Sequence, residues 1–131
     1  MDVARTNYDC AVRVMPTYLH LSVTGDNTPE NVRRSLRDVI AACTRHGCTR
    51  VLLEEHFAGP SLGTVEIFEI VSEASRNAWP TVAQIAYVDT NPKHDPTMLG
   101  FAETVAVNRG VQTRLFATIA EAEAWLTESA A

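Results

Sequence analysis

The sequence predicts an α/β fold: a mostly parallel mixed sheet with helices on both of its faces. Short β-rich runs alternate with stretches of helical apolar periodicity in the order β-β-α-β-α-β-α-β-α. Each connection after the first carries a helix, which is how parallel neighbours are joined. A length of 131 residues suits one core, and 46% apolar with 21% charged residues are ordinary values for a chain that packs one. With no internal repeat or linker, residues 1–131 read as a single domain.

Residues 8–14 (YDCAVRV) and 18–23 (YLHLSV) alternate in character on either side of Met15, Pro16 and Thr17, as the arms of a hairpin do. A helix opens next, with Thr28 as N-cap, Pro29 at the first helical position and Glu30 near the positive end of the dipole. Val32, Leu36, Val39, Ile40 and Cys43 turn one side of it inward, while Glu30, Arg34 and Asp38 line a solvated side. Gly47 stops it behind His46.

RVLLEE, residues 50–55, supplies the next strand. A Gly/Pro-containing loop from Phe57 to Gly63 gives way to a helix from Leu62 to about Asn77, with Ile67, Ile70, Val71 and Ala74 on one stripe. A buried strand falls within residues 80–89 (PTVAQIAYVD). Asp95 and Pro96 then repeat the Thr28–Pro29 opening, for a helix with Met98, Phe101, Ala102 and Val105 inward and Gly110 at its end. QTRLF, residues 112–116, forms the last strand, and Thr118 with Glu121 makes a capping box for a terminal helix that buries Ile119, Ala122, Trp125 and Leu126.

Composition narrows the function. A net charge of −5 with scattered basic residues argues against nucleic acid as a partner. Asp2, Arg5 and Asp9 interrupt the opening where a secretory signal needs an apolar run, and no segment approaches the length of a membrane span, so a cytoplasmic protein is expected. Cys10, Cys43 and Cys48 are odd in number and form no C-x-x-C pair, so neither a disulfide nor a zinc framework is implied. Cys43 reads as a small buried hydrophobe, Trp79 and Trp125 as core, and His20 as a surface or edge residue.

In a parallel sheet, ligands and partners meet the loops beyond the carboxyl ends of the strands, here residues 54–62 and 88–95. Glu54, Glu55, His56, Asp89 and His94 gather near that edge and are types that bind metals or transfer protons. Adjacent strand residues point to opposite faces, however, so Glu54 and Glu55 cannot serve one centre without a bulge. Neither histidine has a ligand spacing, and the expectation is solvated loop polars without a metal.

Gly59-Pro60-Ser61-Leu62-Gly63 has the form of a nucleophile elbow, but Ser61 stands too far past Glu55 and the chain is short for an α/β-hydrolase. Ser61 is therefore expected as the N-cap of the following helix, with Thr64 as a competitor. Val65 and Phe68 lie off the inward stripe and form a candidate dimer patch. No catalytic residue or cofactor is assigned.

FAETVAVNRGVQTRLFATIAEAEAWL, residues 101–126, resembles the closing helix-strand-helix unit of the SpoIIAA-like (STAS) family. The resemblance extends more loosely from Tyr18 through VLLEE at 51–55 and IAYVD at 85–89. It implies a STAS-like domain acting as a non-enzymatic regulatory or interaction module through protein contacts, and the strand-end topology puts Glu55, His56, Phe57, Ser61, Asp89 and His94 around its partner or ligand loops. In the anti-sigma-factor antagonist branch, this loop resembles Asp-Ser-Ser-Gly-Leu-Gly with a phosphorylatable hydroxyl. Here Ser61 takes about that place, but no Asp precedes it and Pro60 adjoins it. Relatives without that motif are likened to SEC14-type lipid-binding domains, which implies an apolar cavity between sheet and helices and an apolar small-molecule ligand. A small hydrolase or metal-dependent enzyme using the strand-end loops is the third reading.

Overall fold

A computed structural model describes residues 7–130. Its five strands are β1 (Asp9–Val14), β2 (Leu19–Asp26), β3 (Arg50–Ala58), β4 (Gln84–Asp89) and β5 (Gln112–Leu115), and they lie side by side in chain order. β1 pairs antiparallel with β2, and every later pair is parallel. The helices are α1 (Pro29–His46), α2 (Thr64–Ala78), α3 (Pro96–Asn108) and α4 (Ile119–Ala130). All of these elements follow the order that the periodicity predicts.

Chain-order pairing decides where the helices go. Each parallel crossover steps to the next strand in the same direction, and a right-handed connection taken three times in one direction lays α1, α2 and α3 on one face. α4 covers the other face, against β3 and β4. Both faces are thus covered as expected, but three helices stand against one.

Strand alternation feeds two separate cores. On the three-helix face, Leu19, Leu21, Val23, Val51, Leu53 and Phe57 pack with Val39, Cys43 and Ala78. On the other, Leu52, Ala86 and Val88 meet Ala122 and Leu126 of α4, with Tyr18 beside them. Trp125 packs on Phe116, with ring centroids 5.4 Å apart.

Several local signals act as read. Thr28 Oγ1 accepts the Asn31 amide hydrogen at 3.1 Å, Asp95 Oδ1 accepts that of Thr97 at 2.9 Å, and Thr118 Oγ1 accepts that of Glu121 at 3.2 Å. Gly47 closes α1 in the left-handed region at φ 62°. On the polar side of α1, Asp38 accepts the Tyr8 hydroxyl at 2.6 Å and the Arg34 guanidinium lies 4.6 Å from the Tyr8 ring, so this side of α1 anchors the segment entering β1.

Four expectations change. β3 continues through Ala58, which moves Phe57 out of the loop and into the core at 1% exposure. α2 starts at Thr64 with Gly63 as N-cap, so Ser61 is not the cap: Glu66 reaches back to the Gly63 amide at 3.2 Å, and the Ser61 hydroxyl is engaged elsewhere. Trp79 is exposed, because the inward stripe ends at Ala78 and the helix stops there. His20 is no surface or edge residue; β2 lies inside the sheet, and the His20 side chain is 11% exposed against Glu54.

Candidate functional site

α2 packs on its neighbours α1 and α3 and stands off the sheet. Its inward stripe of Ile67, Ile70, Val71 and Ala74 therefore roofs a cavity of about 130 Å³ instead of filling the space. Leu53, Ile85 and Tyr87 form the floor, Leu36 and Ile40 of α1 one wall, and Met98, Leu99 and Ala102 of α3 the other. Toward the carboxyl ends of β3 and β4 the lining turns polar, with Ser61, Glu55, Asp89 and His94.

Glu55 is placed there by strand alternation, on the same face as Leu53 and Phe57. It is 5% exposed, and the Tyr87 hydroxyl donates to its Oε1 at 2.6 Å. Burial pushes the Glu55 carboxyl up to about 7; the Tyr87 hydrogen bond and His94 pull the other way, while Asp89 adds repulsion. Tyr87 is raised well above the usual phenol range, first by burial and then by the charge of Glu55.

Asp89 and His94 form a buried pair, each side chain 3% exposed, with Nδ1 of His94 2.6 Å from Asp89 Oδ2. Nε2 of His94 lies 3.0 Å from the Gly59 carbonyl oxygen, so both ring nitrogens face oxygen acceptors. Asp89 Oδ1 also takes the Asn91 amide hydrogen at 2.8 Å, an Asx turn that folds the loop back across the end of β3. The Asn91 side chain donates to the Phe57 carbonyl at 3.0 Å, and the Asp95 amide donates to Ser61 Oγ at 2.8 Å. Residues 54–62 and 88–95 are stitched together by these bonds.

The expectation of solvated loop polars is thus overturned for Glu55, Asp89 and His94. The Asx turn at Asp89 buries His94 against Gly59, and the spacing Asp89-x-Asn91 before Pro92 was the signal available for it.

His56 does not join this group. With Glu54 it projects from the opposite face, where Glu54 Oε1 lies 2.7 Å from His20 Nε2 and Oε2 lies 2.6 Å from His56 Nε2. Thr90 Oγ1 is 2.9 Å from His56 Nδ1 and donates to the Glu55 carbonyl. Burial raises the Glu54 carboxyl, but the hydrogen bonds from His20 and His56 outweigh it and hold the group below its ordinary value. Sequence reasoning missed this cluster, although His20, Glu54 and His56 share a face by alternation and register.

The elbow-like motif loses its geometry. Ser61 bonds to the Asp95 amide and not to a histidine, so the elbow-like motif has no nucleophile–base pair. Among the described residues, no group of three or more His, Cys, Asp or Glu side chains is arranged to hold a metal ion, and no helix is long and apolar enough to cross a membrane. On the outer side of α2, Val65 and Phe68 are 68% and 45% exposed, with the Arg109 guanidinium 5.8 Å from the Phe68 ring.

No family model matches the chain, and no curated protein matches it. Among solved structures, an anti-sigma factor antagonist from Mycobacterium paratuberculosis is similar, with a TM-score of 0.56 at 12% identity over 92% of this chain and 95% of that one. The likeness shows that the chain has the fold of that antagonist, the STAS-type α/β fold that the resemblance of residues 101–126 implied.

Proposed function

We propose that this chain is a regulatory binding module of the STAS type that works through contacts with another protein and not through catalysis. The observation that carries the reading is the outward pair Val65 and Phe68, large apolar side chains exposed on the side of α2 turned away from the cavity. The structural likeness to an anti-sigma factor antagonist supports it at the level of fold. The β3–α2 loop, with Ser61, leads directly into the helix that carries the apolar pair. A cytoplasmic setting and a homodimer belong to this reading. Cross-linking capture with the wild-type chain and Phe68→Glu tests it: a partner held by the first is lost by the second, and identical captures would overturn the reading.

A second reading is supported by the cavity beneath α2. A roofed apolar space with a few convergent polar groups at one end is what a small-molecule site requires, and an interaction module does not need one. Native mass spectrometry of the purified chain checks it by looking for a bound compound.

A further inference from the structure

The size of the cavity and the hydrogen bonds at its polar end together restrict what it can hold. This inference rests on the second reading above, that the cavity is a ligand site. At about 130 Å³ the space falls below the roughly 300–1,000 Å³ of sites that take drug-sized ligands. It is close to the roughly 150 Å³ apolar cavity that accepts benzene. That is the scale of a single ring and not of a two-chain lipid.

The polar end settles the head group. Asp89 has both carboxylate oxygens engaged, one by the Asn91 amide and one by His94, and both His94 nitrogens face oxygens. Glu55 has one oxygen engaged by Tyr87 and is set in the same lining as the apolar floor. The Glu55 carboxylate, which has no cationic partner of its own among the described residues of the lining, repels an anionic head. A neutral O–H or N–H meets an acceptor at Glu55 without bringing a second charge into an apolar space.

We propose that the cavity beneath α2 binds a small uncharged ring compound with one hydrogen-bond-donating group, of the phenol class, whose hydrogen is accepted by the Glu55 carboxyl. The ring sits among Leu53, Ile85, Ile70 and Ala74, where burial of its apolar surface supplies affinity and Glu55 supplies selection.

Phenol, toluene and benzoate, titrated into the intact chain at pH 8 and followed by amide NMR shifts, test this directly. Phenol and toluene are expected to shift residues lining the cavity, and benzoate is expected to leave them unmoved. Replacing Glu55 by Gln keeps an acceptor for Tyr87 but turns a donor toward the cavity, so Glu55→Gln lowers the ratio of phenol to toluene affinity by about tenfold. Ala74→Leu, which extends the roof into the space, abolishes the shifts with both compounds; if that variant folds poorly, Ala102→Leu approaches the same space from α3. An unchanged phenol-to-toluene ratio in Glu55→Gln, or benzoate binding equal to phenol, overturns the assignment of the head group. A long-chain compound found in the purified chain overturns the ring-sized ligand while leaving the cavity reading intact. Failure of every probe, with no bound compound, sinks both.

Discussion

The Tyr87 hydroxyl donates to Glu55 Oε1 at 2.6 Å across the β3–β4 pair, two positions away from Leu53, which Tyr87 faces in direct register. This diagonal tie holds an acid whose carboxyl is raised from 4.5 to about 7 by burial. Between those values the folded chain binds more protons than the unfolded one, so stability falls as pH rises from about 4.5 to about 7 and the full cost remains above that. Glu55→Gln removes the titrating group and keeps an acceptor for Tyr87. At pH 8 it is expected to be more stable than wild type, by on the order of 3 kcal/mol at most. Urea unfolding at pH 5 and pH 8 measures this, and equal pH slopes for the two proteins would contradict it. Glu54 does not confuse the result, because its lowered carboxyl contributes stability that is lost only as pH falls below the ordinary value of 4.5.

Ser61→Ala separates a cap from a tether. The variant loses the acceptor for the Asp95 amide and is expected to cost about 1 kcal/mol. Hydrogen exchange locates the loss: protection falls at Asp95, ahead of α3, while the first turn of α2 keeps its protection through Gly63 and Glu66. Loss confined to the start of α2 would restore Ser61 as the cap.

Gly25 lies at φ 148° near the end of β2, where a Cβ would fall 2.2 Å from the Asn7 carbonyl oxygen. Gly25→Ala combines a strained backbone with a collision against main chain, and a loss of about 1–3 kcal/mol is expected in thermal or urea unfolding. A wild-type midpoint in this variant would show that the segment before β1 yields freely.

Self-association through α2 is the remaining expectation. Light scattering at micromolar concentration should give a dimer for the wild-type chain and a monomer for Phe68→Glu, since a charge at Phe68 leaves α2's inward side untouched. A wild-type monomer removes Phe68 from any homodimer, without bearing on a different protein partner.

Much of the fold was legible because its signals are local. Thr28–Pro29, Asp95–Pro96 and Thr118–Glu121 each act within one turn of helix, and the stripe from Ile67 to Ala74 needs only helical spacing. Ser61 failed as a cap because Glu66 competes for the same role and the Asp95 amide claims the hydroxyl, a contact across 34 positions that no spacing announces. The grouping of Glu55, Asp89 and His94 was half visible. Parallel strands bring β3 and β4 ends together, but the burial of His94 depends on an Asx turn that reverses the loop. The cavity was illegible from residue types, because its lining is the same stripe that would have packed directly on the sheet had α2 sat lower. Nor does it lie at a reversal of strand order, since this sheet has none.

Strand pairing in chain order has a further consequence for a nascent chain leaving the ribosome. Each parallel strand finds its partner already made, and the helix between them docks on the same side every time, so most of the molecule can consolidate as it emerges. The other face has to wait. Leu52, Ala86 and Val88 stay bare until Ala122 and Leu126 arrive with α4, leaving a sticky flank on an otherwise assembled sheet until that helix emerges.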